Sequence, residues 1–320
     1  MIPVMDDFLA ARRRIAAHVR RTPCRRSPAL EARLGVPVWL KCEHLQMTGA
    51  FKLRGASNAV LRLAPDVVGV TTASTGNHGR ALAHAARAAG MKAVICMSAL
   101  VPQNKRAAVQ ALGAEARIIG ASQDEAAIEA ARLAREEGFA LIPPFDHADV
   151  IAGQATLGLE MAEDVPEAAC VLIPLSGGGL LAGVAAAMKA RNPALRVVGL
   201  SMERGAAMAA SLAAGHPVAV TEEPTLADSL GGGIGLQNRL TFAMVRDLMD
   251  ELVLLSETEI ATGIAFLHDV EGEIVEGAGA VGVAALLAGK VRSGGSVVLP
   301  LTGANIDPAR HARILVGEIA

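Results

Sequence analysis

Tyrosine is absent from this chain of 320 residues, tryptophan occurs once and phenylalanine six times. No tyrosine can therefore act as acid or base. Charge of one sign is lacking too: the net charge is −2, so no basic excess argues for a nucleic-acid partner. The Lys and Arg residues between 12 and 26 form a local basic stretch. Their spacing suits the solvated side of a helix starting near Asp6. Cysteine is scarce: Cys24, Cys42, Cys96 and Cys170 stand far apart and form no C-x-x-C pair. They read as reduced residues of a cytoplasmic protein. Residues 1–9 carry two aspartates and no apolar core, so no secretory signal is expected. The window from Ala168 to Met188 has no charge, yet Pro174, Ser176 and three glycines interrupt it. A buried strand, a loop and a helix are expected there, and no membrane span.

What the sequence does have is alternation. Strand-like runs at 37–40, 67–72, 93–97, 115–119, 169–173, 196–200, 252–255 and 295–301 are separated by alanine-rich helical stretches. This pattern predicts an α/β protein with mostly parallel sheets covered by helices on both faces. The length suffices for two domains, although composition alone marks no boundary.

Three segments carry chemistry. In Thr48-Gly49-Ala50-Phe51-Lys52-Leu53-Arg54-Gly55-Ala56, a lysine sits between apolar neighbours at the mouth of a helix. Packing of this kind can strip water from the ammonium and shift Lys52 toward its neutral, nucleophilic form. Ser74-Thr75-Gly76-Asn77-His78-Gly79 follows a β-branched run and precedes a helical stretch. Its amides can hold a carboxylate, and a plain turn with Ser74 as helix cap is the competing reading. Pro174-Leu175-Ser176-Gly177-Gly178-Gly179 follows a third strand-like run, and consecutive glycines suit a phosphate at a helix start. The same glycines, with Leu180-Leu181-Ala182, also fit G-x-G-x-x-A, the dinucleotide fingerprint. The acidic residue that fingerprint needs would be Glu203, beyond its usual distance.

Together the three segments, in this order, resemble the fold-type II enzymes of pyridoxal phosphate, in the threonine/serine dehydratase and serine racemase branch. The resemblance covers nearly the whole chain. It implies a tryptophan synthase β-like α/β fold, with a small domain of residues 69–146 closing over the substrate and a large domain of 1–68 and 147–320. It implies pyridoxal 5'-phosphate as cofactor, with Lys52 as Schiff-base lysine and Phe51 beside the ring. Ser74, Thr75, Asn77 and His78 match the turn for the substrate carboxylate, with Asn77 also at the ring hydroxyl. Ser176, Gly177, Gly178 and Gly179 match the phosphate loop. Gly235 and Glu276 match positions lining the cofactor, and Thr302 the hydroxyl at the pyridine nitrogen. The segments 144–146 and 150–154 resemble further family stretches.

The reaction so implied is α,β-elimination from a β-hydroxy amino acid, threonine- or serine-like, to a 2-oxo acid and ammonia. Lys52 is the base at Cα, and the cofactor phosphate is a candidate proton donor to the leaving hydroxide. Where the branch carries carboxylates for a divalent cation, this chain has Ser201 and Ala207, so no metal is expected there. Racemisation would need Thr75 as a second acid/base, and elimination is favoured over it. The segment 201–208 resembles dehydratases associated with hydroxyectoine breakdown, which keeps open a bulkier hydroxylated substrate, a phenylserine or hydroxyectoine derivative. No C-terminal regulatory domain is expected after Thr302. A homodimer or larger homo-oligomer is expected, with a small amino acid as partner, and neither nucleic acid nor membrane. A nicotinamide oxidoreductase would leave Lys52 and Asn77 without a role, and a cofactor carrier would not require the carboxylate turn.

Overall fold

The computed structural model describes residues 1–74, 76–101 and 103–318, apart from the side chains at 104 and 123. The chain enters through α1 (Met5–Ile15), β1 (Cys24–Arg26), α2 (Pro28–Leu34), β2 (Val38–Lys41) and α3 (Lys52–Val60). Then come β3 (Gly69–Ala73), α4 (Asn77–Ala88), β4 (Lys92–Met97), α5 (Gln103–Ala111), β5 (Glu115–Ile118), α6 (Gln123–Glu136) and β6 (Phe139–Leu141). The remainder runs α7 (Ala148–Asp164), β7 (Cys170–Pro174), α8 (Gly179–Lys189), β8 (Arg196–Met202), α9 (Ala207–Ala214), α10 (Thr241–Leu248), β9 (Glu251–Leu255), α11 (Glu257–Asp269), α12 (Gly277–Leu287), β10 (Val297–Pro300) and α13 (Pro308–Leu315). All eight expected strands are present, each within two residues of its expected ends. Two further strands, β1 and β6, were not expected and have three residues each. Cys-Arg-Arg and Phe-Ala-Leu are too short for a period to show.

The strands form two sheets. One has six strands in the order β1-β2-β10-β7-β8-β9, and the other has four in the order β5-β4-β3-β6. Among these pairings only β1–β2 is antiparallel. Every residue of β7 is buried, because helices cover both faces and a continuous apolar run is then what the position requires. On one face, Leu172, Val198 and Leu299 pack with Ile260, Ile264 and Val281 of α11 and α12. On the other, Val171, Ile173 and Val197 pack with Leu157 of α7 and Leu181 and Val184 of α8. The four-stranded sheet meets α3 and α4 through Val70, Ile95, Leu53 and Leu82, and meets α6 through Val94 and Leu133.

The basic N-terminal stretch lies on the surface and is met by carboxylates: Arg12 and Arg21 pair with Glu163, Arg25 with Glu271 and Arg26 with Glu31. The described cysteines are all unpaired. No helix among the described residues is long and apolar enough to cross a membrane.

Candidate active site

The carboxyl ends of β3 and β7 point into one cavity of about 610 Å³, the place where open parallel sheets present loop amides. Lys52, Asn77, His78, Ser176 and the three glycines after it, Glu276 and Thr302 all line it. Residues as distant in sequence as Lys52 and Thr302 thus share one wall, for which local pattern gives no instruction.

Lys52 is the first residue of α3, and the loop before it is held from behind. Gly49 turns with φ 73°, Phe51 N–H donates to Thr302 O at 3.0 Å, and Ala50 bridges Gly303. Lys52 Nζ lies 5.3 Å from the centre of the Phe51 ring and donates to Pro144 O at 2.8 Å. Among the described residues it makes no ion pair with a carboxylate. Loss of water without a compensating charge pulls its pKa down to about 8.

Two residues on, Arg54 anchors the same helix from inside the protein. It is fully buried, donates to both oxygens of Glu43 at 2.8 Å, and reaches Glu160 at 2.7 and 3.0 Å. Glu160 is shared with buried Lys41 at 2.8 Å. Removing one member would strand a buried charge, at a cost of about 3–5 kcal/mol. The segment 150–154 is part of α7 and supports α3 from behind the cavity. A Cβ on Gly153 would fall 2.5 Å from Arg54 O, so the two helices cross at backbone contact.

In the turn after β3, Ser74 Oγ accepts from Gly79 N at 3.0 Å and more weakly from Gly76 N at 3.4 Å. Ser74 thus ties down the Gly79 amide in the first turn of α4 from outside the helix, whose N-cap position is Gly76, and the Asn77 and His78 amides, as the first two of α4, have no partner within the helix. His78 is buried, and its Nε2 donates to Ile142 O at 2.9 Å, so Nδ1 carries the lone pair. Burial, reinforced by the nearby Lys52 charge, lowers its pKa to about 3. His78 is a neutral acceptor at any physiological pH. Thr75 lies outside the described residues.

The glycine loop serves packing as well as access. Gly178 holds φ 88° at the N-cap of α8, and a Cβ there would lie 2.9 Å from both Met208 and Val245. A Cβ on Gly177 would strike the Phe145 ring, and one on Gly179 would sit 3.0 Å from Phe145 Cα. Phe145 is itself fixed by its neighbour Asp146, whose carboxylate accepts from the amides of Arg239, Leu240 and Thr241 at 2.7–2.9 Å. Segment 144–146 thus supplies the carbonyl for Lys52 and the ring against the glycines, two contributions that its own sequence does not announce.

Glu276, at the N-cap of α12, is buried and accepts from Asn77 Nδ2 at 2.7 Å. Burial first, and the Asp228 charge second, raise its pKa to about 7. Thr302 is buried on the same wall. Gly235 is not among the residues lining the cavity. From that loop Ser229, Gly231 and Gly232 line it, with Ser229 Oγ 3.5 Å from Asn77 Nδ2. At the mouth, Lys105 of α5 approaches Asp228 at 3.4 Å.

Residues 15–303 match the family described as pyridoxal-phosphate dependent enzyme. The chain belongs to this family. A Sinorhizobium fredii protein provisionally named threonine dehydratase is 57% identical over 98% of this chain and 96% of its own. The L-threonine ammonia-lyase of Thermotoga maritima is 39% identical, over 97% of this chain and 78% of its own. Among solved structures, maize serine racemase superposes with a TM-score of 0.92 at 34% identity, over 99% of this chain and 98% of that one. A threonine deaminase from T.th. gives 0.88 at 37% identity, over 95% and 99%. The fold is accordingly that of fold-type II pyridoxal phosphate enzymes, and pyridoxal phosphate is the cofactor.

Proposed function

We propose that this enzyme is a dehydratase of a threonine- or serine-like β-hydroxy amino acid, releasing a 2-oxo acid and ammonia. The observation that carries the reading is a desolvated amine, Lys52, on the same cavity as a helix start able to take a carboxylate. Relatives named for threonine dehydration or ammonia release support it.

The residues present fit the cofactor. Lys52 offers an amine close to neutrality, the bare loop 176–179 opens onto the N-terminus of α8, and Asn77 and Thr302 line the remaining wall. A helix start with glycine amides favours a phosphate dianion. Pyridoxal phosphate, when bound, supplies an aldehyde for amines and a ring that withdraws electrons from the substrate Cα.

The chain's own groups then divide the work. The Asn77 and His78 amides hold the substrate carboxylate, which orients the Cα–H bond. Lys52, as a free amine, would receive the Cα proton on Nζ. Because His78 stays neutral, it adds no cation that would compete with Lys52 for the negative charge. The β-hydroxyl leaves as water with a proton that the cofactor phosphate would supply, and an enamine remains. Once free, the enamine becomes an imine and water converts it to the oxo acid and ammonia.

Residues 69–146 are proposed as a small domain over the substrate, with 1–68 and 147–320 as the large one; the cavity draws its lining from both stretches. Extension of that lining to Glu222, Glu223 and Arg310 supports a second reading, a bulkier hydroxylated substrate such as a phenylserine or hydroxyectoine derivative. Elimination is proposed over racemisation. Self-association is proposed from exposed Leu45, Met47, Val270 and Ile274, and a cytoplasmic setting from the unpaired cysteines.

The test is oxo-acid and ammonia release from a panel of β-hydroxy amino acids, with Lys52→Ala beside the wild type. Turnover should vanish in the variant. Borohydride reduction that fixes the cofactor on another lysine, or a wild type releasing no oxo acid from any member, would overturn the reading.

A further inference from the structure

A side-chain amide has two faces, NH2 donating and C=O accepting, and which one meets a ligand depends on what holds the other. For Asn77 the answer starts at a group that cannot reverse. Thr48 O is a backbone carbonyl and can only accept; Asn305 Nδ2 donates to it at 3.0 Å. The same NH2 donates its second hydrogen to Asn77 Oδ1 at 2.6 Å. With its oxygen so engaged, Asn77 turns Nδ2 the other way, toward Glu276 Oε1 at 2.7 Å and Ser229 Oγ at 3.5 Å, two residues that line the cavity with it.

The backbone is cut to fit this chain of bonds. Gly49 lies against the Asn305 side chain, where a Cβ would come within 2.7 Å of its Oδ1. Gly303 lies against Glu276 and Asn77, where a Cβ would collide with Glu276 Oε1. Both glycines therefore leave room for the amide pair. Asn305 itself does not line the cavity.

We infer that Asn305 is a positioning residue, which fixes the Asn77 amide so that it presents a hydrogen-bond donor to the cofactor's ring oxygen. The inference rests on the proposed placement of Asn77 beside that oxygen. A donor there favours the deprotonated ring oxygen, whereas a carbonyl would favour the hydroxyl. Those two forms of the bound cofactor absorb at different wavelengths, so the orientation can be read without turnover.

The experiment measures the ratio of long- to short-wavelength cofactor absorbance at one pH, on holoenzyme of wild type, Asn305→Ala, Asn305→Asp and Asn77→Ala. In Asn305→Ala nothing holds Asn77 Oδ1, and the ratio should fall roughly three- to tenfold, the worth of one hydrogen bond. In Asn305→Asp the new carboxylate draws Nδ2 toward itself, and the fall should be larger. A role confined to stability would lower the melting temperature and cofactor occupancy without moving the ratio. A purely Coulombic effect would move the ratio in Asn305→Asp and leave Asn305→Ala at the wild-type value. An unchanged ratio in Asn305→Ala therefore overturns the inference, provided Asn77→Ala does shift it. If Asn77→Ala leaves the ratio unchanged, the placement of Asn77 itself is wrong, and the inference falls with it.

Discussion

The amine of Lys52 should titrate far below an ordinary lysine in the protein freed of cofactor. Burial disfavours its charged form and no carboxylate among the described residues compensates, which brings the pKa to about 8. At pH 7.5 about a quarter of Lys52 is then neutral, against about 0.1% for a lysine of unperturbed pKa, a gain of roughly 200-fold. A less basic amine is also a weaker nucleophile. With the slope of about 0.4–0.5 seen for thiols, the net advantage shrinks to roughly 10- to 20-fold. The direction is fixed by the shift: reactivity should rise as pH increases through about 8 and level off well before pH 10. The assay is timed acetylation of the apo-protein from pH 6 to 10, with each lysine followed by peptide mass spectrometry. A Lys52 midpoint above pH 10, or a rate no faster than that of exposed Lys92, would refute the desolvation argument. His78 offers an internal check, since replacing it by glutamine removes a group that carries no charge near neutrality, and the midpoint should stay within about half a unit.

Gly177→Ala should reduce cofactor retention on dialysis and also lower the melting temperature of the apo-protein, because the new methyl meets the Phe145 ring. Loss of retention with unchanged apo stability would show that the loop serves the ligand alone. Gly178→Asp should act more strongly, adding backbone strain at φ 88° to a negative charge beside the proposed phosphate site; unchanged retention would assign the loop to another ligand. Activity should survive chelation, since Ser201 and Ala207 stand where the resemblance would put the carboxylates of a cation site; a reversible loss rescued by magnesium or calcium would contradict that. Thr302→Asp should favour a protonated ring nitrogen, slow elimination and raise the share of racemised or transaminated product. An unchanged product ratio would remove Thr302 from its proposed place.

What could be read in the sequence follows from what each signal depends on. Strands such as β7 and β8 were legible because burial on both faces demands an unbroken apolar run, a local property. Lys52, Asn77 and the Ser176 loop stood out as candidates because chemistry needs particular residue types at short spacing, and the fold sets them on one cavity. The carbonyl of Pro144 was not, because every residue has one, and only the fold decides which carbonyl reaches Nζ. Arg54 stood inside the lysine segment, yet its partners Glu43 and Glu160 come from a turn and from α7, so its burial could not be seen from α3 alone.

The glycines show the same limit from the other side. Their bareness was attributed to a ligand, but a Cβ at 177 or 179 meets Phe145 and one at 178 meets Met208 and Val245. A residue kept small by packing on its inner side and by a ligand on its outer side gives one signal for two causes. Substitution separates them only if stability is measured without the cofactor. The same reasoning applies to Gly235 and Ser229. Gly235 stood out by its place in the family pattern, whereas the unremarkable serine earlier in the same loop is the one the fold sets beside Asn77. Residue type alone does not say which of them lines the cavity.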